Sequence, residues 1–203
     1  MAASPTSVIS PSPDLVLASA SPRRRDLLAQ IGVRFMVQAA DIDERQRKSE
    51  SPVSYVSRLA LEKAQAGFSR QAGTLPVLGA DTTVVCDGEI FGKPESCAES
   101  LSMLQALSGS THEVLSAVAL TDGQDSEVIL VTTEVTFRVI SADDCLKYWQ
   151  SGEPIGKAGG YAIQGLGAVF VARLEGSYSA VVGLPLMETE AILQRFNVLC
   201  WHG

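Results

Sequence analysis

Three groups of side chains in this sequence have the types and spacing to do chemistry on a phosphate. The first lies in Leu15-Val16-Leu17-Ala18-Ser19-Ala20-Ser21-Pro22-Arg23-Arg24-Arg25. An apolar run, small hydroxyl residues, a proline and three arginines read as a buried strand turning into a helix. Ser21 suits the N-cap, and Pro22 the first turn, where a missing N–H costs nothing. The unpaired N–H groups and positive dipole end of such a helix attract anions, and arginines beside them offer forked donors to phosphate oxygens. The second group is Asp81, inside Pro76 to Cys86, the most apolar stretch of the chain. A carboxylate in a central strand is costly unless it is paired, metal-bound or at a cleft mouth. The third comprises Lys63, Lys93 and the acidic run Asp41-Ile42-Asp43-Glu44. Such a run is either a solvated turn or a source of oxygen ligands for a divalent cation. Lys63, beside the apolar stripe of a helix, either snorkels or points into a cleft.

Several other chemistries are excluded. Gly92-Lys93-Pro94 is no P-loop, because proline stands where Ser or Thr must hold the metal. The glycine-rich stretch Glu153 to Gly165 lacks the dinucleotide-binding fingerprint and reads as a loop whose backbone approaches a ligand closely. With 16 basic and 23 acidic residues the net charge is −7, which argues against a general nucleic-acid binder. Its positive charge must be gathered locally, as for a small anion. Cys86, Cys97, Cys145 and Cys200 form no C-x-x-C pair, which fits free thiols in a reducing cytoplasm rather than zinc or disulfides. The two histidines, His112 and His202, are too far apart in sequence for a local metal pair, so His112 is expected to be a hydrogen-bonded strand residue. No apolar run is long enough to span a bilayer. Residues 1–13, small and polar with prolines, read as a disordered tail rather than a signal peptide.

These groups need a scaffold. At 203 residues, 46% of them hydrophobic, the chain can build one substantial core, assigned here to residues 14–203 as a single domain. Ser51-Pro52 opens a long helix with Val53, Val56, Leu59 and Ala60 as its stripe. Asp87-Gly88 marks a hairpin, Ser96 to Leu107 a helix, Thr111 to Ala119 and Val128 to Arg138 strands, and Ser141 opens another helix. Val169 to Leu174 and Ser177 to Val182 read as paired strands, and Pro185 starts the last helix. Strands alternate with helices early and form hairpins later. The fold class is therefore mixed α/β: a twisted mixed sheet with flanking helices and two lobes around a central cleft.

The segments Ser19-Ala20-Ser21-Pro22-Arg23-Arg24, Gly79-Ala80-Asp81-Thr82, Gly92-Lys93-Pro94, Ser110-Thr111-His112 and Lys157-Ala158-Gly159 resemble the Maf family of nucleoside triphosphate pyrophosphatases. So do Tyr161-Ala162-Ile163-Gln164-Gly165 and Gly176-Ser177-Tyr178 through Gly183-Leu184-Pro185. The resemblance implies a fold like that of inosine triphosphatases and the hydrolysis of a nucleoside triphosphate to monophosphate and pyrophosphate with Mg2+ or Mn2+. It implies Asp81 as general base, Lys63 and Lys93 in catalysis, and Glu44 with Asp81 at the metal. Ser19, Arg23 and Arg24 would hold phosphates. Arg23, Thr82 and Gln164 match positions that separate a dTTP/UTP branch from a 7-methyl-GTP branch, and their identities resemble the former. Family resemblance also implies a homodimer, and offers a nucleotide-sensing regulator of septum formation as a non-catalytic alternative. One departure stands out. Gly156 occupies the place before Lys157 where an acid is common, so Asp43, Glu44 or Glu153 would have to compensate.

Overall fold

The structure is a computed structural model that describes residues 12–71 and 73–201. Residues 1–11 of the expected tail, and His202, lie outside the described residues. The elements run β1 (Leu15–Leu17), α1 (Pro22–Gln30), β2 (Phe35–Val37), α2 (Pro52–Arg70), β3 (Val77–Cys86) and β4 (Glu89–Phe91). They continue with α3 (Cys97–Leu107), β5 (Thr111–Thr121), β6 (Ser126–Phe137), α4 (Ala142–Gln150), β7 (Val171–Glu175), α5 (Tyr178–Val182) and α6 (Leu186–Arg195). Short 3-10 turns occupy Ala158–Gly160 and Leu166–Phe170.

Seven strands among the described residues form one mixed sheet in the order β2-β1-β3-β5-β6-β7, with β4 beside β3 off that path. The early strands pair in parallel, β1 with β2 and with β3, because helices connect them; the hairpins β3-β4 and β5-β6 are antiparallel. The expected mixed α/β sheet with flanking helices is present.

Side chains of a strand point alternately to the two faces, and here each face has its own helices. Val85 of β3 and Leu115, Ala117 and Ala119 of β5 pack on Val56, Ala60 and Ala64 of α2. Leu78, Ala80 and Val84 of β3 belong to the larger cluster with Leu28 of α1, Leu104 of α3, Tyr148 of α4 and Ile192 of α6. Gly79 permits the first packing. A β-carbon there would lie 2.3 Å from the Ala60 carbonyl oxygen and 2.5 Å from the Ala64 nitrogen, so glycine lets α2 lie close against β3. That approach brings Lys63, one turn beyond Leu59, to the strand.

The pairing of β3 also opens the sheet. On one edge β5 accompanies β3 throughout, from Val77 to Val85. On the other edge β1 pairs only at Val77 and Leu78, and β4 only from Val84 to Cys86. Asp81 and Thr82 sit in the interval between, where β1 has already turned into α1.

Four local expectations are corrected. Val53 is 48% exposed, so the buried stripe of α2 starts at Val56. Ser177 to Val182 is not a strand. Ser177 accepts a hydrogen bond from the Ala180 N–H and caps the short helix α5, which buries Ala180 and Val182 as strand alternation would also have done. β7 begins only at Val171, because 166–170 wind into a 3-10 turn. Ser21 occupies the N-cap of α1 but makes no side-chain cap bond; its N–H donates instead to Ser19 Oγ at 3.2 Å.

Candidate active site

A cleft of about 490 Å³ opens at the gap in the sheet and is lined by the β1–α1 turn, the middle of β3, Lys63 of α2, and the glycine-rich loop. Asp81 and Thr82 are adjacent in β3 and so project to opposite faces. Asp81 meets α2: Lys63 Nζ lies 2.7 Å from its Oδ1. The same ammonium lies 2.7 Å from Glu44 Oε1, and Lys93 Nζ lies 3.2 Å from Glu44 Oε2. The result is a row of alternating charges, Asp81–Lys63–Glu44–Lys93. Lys63 and Asp81 are only 7% and 8% exposed, so this pairing is what makes their burial tolerable. Burial by itself would raise the Glu44 carboxyl, but the Lys63 hydrogen bond and the charges of Lys63 and Lys93 outweigh it and hold the group below the usual carboxylate range.

Thr82 faces α1. Arg24 donates from Nη2 to Thr82 Oγ1 at 3.4 Å, from Nη1 to Ser19 Oγ at 3.3 Å, and from Nε to the Gly183 carbonyl at 2.9 Å. Thr82 Oγ1 is also 3.0 Å from Ser116 Oγ, which donates to the Ala180 carbonyl at 2.6 Å. Burial lowers the pKa of Arg24, with Asp81 and Glu44 pulling the other way. Arginine stays charged regardless, so Arg24 is a fixed cation at the cleft.

The remaining named residues separate. Ser19 and Arg23 line the cleft with Arg24 at the start of α1. Arg25 does not, being exposed beside Asp26 at 3.6 Å. Gln164 is exposed and lies outside the cleft lining, although Tyr161, Ala162 and Ile163 just before it form part of the wall. Of the three acids named to compensate for Gly156, only Glu44 lines the cleft. Asp43 is bound to Arg45 at the surface, and the Glu153 carboxylate is spent on Tyr148 and the backbone of Leu166 and Gly167. Gly156 itself lines the cleft with open space where a β-carbon would stand.

The carboxylates suit a hard cation. Glu44 and Asp81 offer oxygen ligands joined through a single ammonium, and among the described residues no group of three or more acids, histidines or cysteines is placed to hold a metal unaided. One or two carboxylates completed by substrate phosphates is the usual magnesium arrangement.

The family profile described as Maf-like protein matches residues 14–196. This chain belongs to the Maf family. Among its relatives it is 52% identical over 195 residues to the dTTP/UTP pyrophosphatase of Saccharophagus degradans, covering 95% of this chain and 93% of that one. It is 54% identical over 185 residues to the dTTP/UTP pyrophosphatase of Salmonella typhimurium, covering 91% and 94%. A solved dITP/XTP pyrophosphatase from Mycobacterium abscessus aligns with 90% of this Maf chain and 94% of its own at a TM-score of 0.48 and 16% identity.

Sequence reasoning missed the residues that hold the cationic side of this Maf site in place: Ser116 and the carbonyls of Ala180 and Gly183. A serine among apolar strand residues was a readable signal. A carbonyl carries none.

Proposed function

We propose that this Maf protein hydrolyses dTTP, UTP and related uridine triphosphates to the monophosphate and pyrophosphate. The observation that carries the reading is the row Asp81–Lys63–Glu44–Lys93 in one cleft with the half-buried Arg24. The choice of base draws on relatives that bear the dTTP/UTP name at over 50% identity.

In this reading Asp81 is the general base. Lys63, 2.7 Å from Oδ1, holds the carboxylate in place, and Asp81 accepts a proton from the attacking water as the new oxygen bond forms at the α-phosphorus. The bond from that phosphorus to the bridging oxygen breaks, and pyrophosphate departs with the electron pair. Arg24 and Lys93 face the charge that accumulates on the leaving group, with Arg23 and Ser19 at the start of α1 as further phosphate contacts. Glu44 and Asp81 would hold Mg2+ or Mn2+, which supplies Lewis-acid polarisation of phosphate oxygens. A homodimer in a reducing cytoplasm is part of the same proposal, supported by family resemblance and by the four free cysteines.

Pyrophosphate release from dTTP, UTP, CTP, GTP and 7-methyl-GTP, with and without Mg2+ or Mn2+, tests the reading alongside Asp81→Asn. Release from dTTP and UTP, reduced by about a thousandfold or more in Asp81→Asn while nucleotide still binds, is the expected result. Nucleotide binding without release by the wild-type protein would support a sensing role instead.

A further inference from the structure

The loop wall of the cleft is fastened by two side chains that take no part in the chemistry above. Tyr148, at the inner face of α4, is 5% exposed, and its hydroxyl accepts the Ala162 N–H at 3.0 Å. The same hydroxyl donates to Glu153 Oε1 at 2.8 Å. That oxygen also takes the Gly167 N–H at 2.9 Å, and Oε2 takes the Leu166 N–H at 2.9 Å. Three backbone amides between 162 and 167 are thereby tied to one phenol and one carboxylate. Burial alone would raise the Glu153 carboxyl, but these amide and phenol donors turn its pKa downward.

The glycines of this segment fit the clamp rather than a ligand. A β-carbon at Gly165 would lie 2.3 Å from Glu153 Oε2, and one at Gly167 would lie 2.6 Å from the Tyr148 hydroxyl and 2.9 Å from the Ala162 carbonyl oxygen. Removing side chains at both positions lets the loop close onto the two clamping groups.

What the clamp holds is one side of the cleft. Ala162 stands between Tyr161 and Ile163, and all three line it. Asp81, Lys63, Arg23 and Arg24 line the cleft from β3, α2 and α1, and Glu44, Lys93 and Lys157 line it from loops, whereas the stretch from Tyr161 to Ile163 carries no charge and offers an apolar part of the wall suited to the uncharged, planar end of a nucleotide. We infer that Tyr148 and Glu153 are positioning residues for base selection: by fixing the backbone from Ala162 to Gly167 they set the wall against which the base is read. The inference rests on the nucleotide pyrophosphatase reading above and extends it to residues that need not touch the substrate.

The test compares wild type, Glu153→Gln and Tyr148→Phe. Glutamine keeps the shape of the side chain but turns one acceptor into a donor facing groups that themselves donate. Phenylalanine keeps the ring that packs edge-on against Phe170 and removes only the hydroxyl. Pyrophosphate release is measured with dTTP, UTP, CTP and GTP, and the affinity for inorganic pyrophosphate is measured by calorimetry on the same preparations. The expected result is a fall of about tenfold in the kcat/KM preference for dTTP over CTP in both variants, with pyrophosphate affinity unchanged. A preference that stays at the wild-type ratio overturns the inference. So does a parallel loss of all rates and of pyrophosphate affinity, which is what a merely structural brace would produce. If Glu153→Gln fails to fold, Tyr148→Phe decides alone. A wild-type protein that releases no pyrophosphate, or that shows no preference among bases, overturns the functional reading and the inference together; an active, selective wild type with unaltered variants overturns the inference only.

Discussion

The two walls of the cleft are built on different principles. On the charged wall, Asp81, Lys63 and Arg24 project from a central strand and two helices, and they are aligned mainly by ion pairs and hydrogen bonds to one another and to backbone carbonyls. On the loop wall, Tyr161, Ala162 and Ile163 sit between 3-10 turns, and side chains from elsewhere hold their backbone and ring. Regular elements satisfy their own backbone groups, so their side chains are free for chemistry. A loop brought into the interior must borrow partners for its N–H and C=O groups, and Tyr148 and Glu153 are those partners here. In the proposed reading the chemistry therefore sits on the side built from regular elements, and the loop side, which can differ in shape without disturbing it, is the one assigned to the base.

The sharpest way to break the comparison is Lys63→Met. Removing the ammonium leaves Asp81 and Glu44 without their shared cation, and Asp81 is almost fully buried. The expected outcome is loss of about 3 kcal/mol of stability in urea unfolding, as for a buried ion pair deprived of one partner, with nearly complete loss of turnover. An unfolding midpoint at the wild-type value would show that the charged wall does not depend on this pairing.

The loop wall should respond to pH through His112. Its Nε2 lies 2.9 Å from the Tyr161 hydroxyl, and Phe137 packs edge-on against both rings. Burial pushes the imidazole down to about 4 from an ordinary value near 6.5. The unfolded chain therefore binds the extra proton first as pH falls. The stability linked to this group is complete above about pH 6.5 and declines toward pH 4, by roughly 3 kcal/mol at most. Urea unfolding at several pH values should show that slope in the wild type and lack it in His112→Gln; an equal slope in both would remove His112 as its source.

The smallest effect is expected at Thr82→Val, which keeps the strand-forming shape and removes the Thr82 Oγ1 bonds to Arg24 and Ser116. The Arg24 bonds to Ser19 and Gly183 remain. KM for the nucleotide should rise about fivefold to tenfold from the lost bond to the charged Arg24, and stability should fall by about 1 kcal/mol from the lost Ser116 bond, since Ser116 still donates to the Ala180 carbonyl. A rise in KM that differed between dTTP and CTP would instead give Thr82 a direct part in reading the base.

The expectations at α2, β3 and the last helix were legible because hydrophobic periodicity and capping residues act over a few neighbours. Ser51 and Ser141 open their helices as read, accepting from Ser54 and Asp144 N–H groups. Asp87-Gly88 turns the β3–β4 hairpin for the same local reason. Asp81 was legible as a misfit, a charge where a strand interior has no solvent for it. Gln164 was named from resemblance alone, and it is exposed outside the cleft lining. Alternation of apolar residues misread 177–182, where a single helical turn buries the same two side chains.

By itself, the sequence determined the order of elements as far as β6 and α4, the anion-favouring start of α1, the acid inside β3 and the likeness to a family. All of these are written in residue types and short spacings. Which charges meet was decided only in three dimensions. Lys63 joins Asp81 and Glu44 because Gly79 lets α2 lie on β3, and Asp81 opens to the cleft because β1 and β4 leave a gap on the edge of that strand. Glu153, acidic and near Gly156, went to the loop backbone instead of a cation because three N–H and O–H donors converge on it in the fold. A side chain's partners depend on distances between segments far apart in the chain, and those distances are set by packing, which no local pattern records.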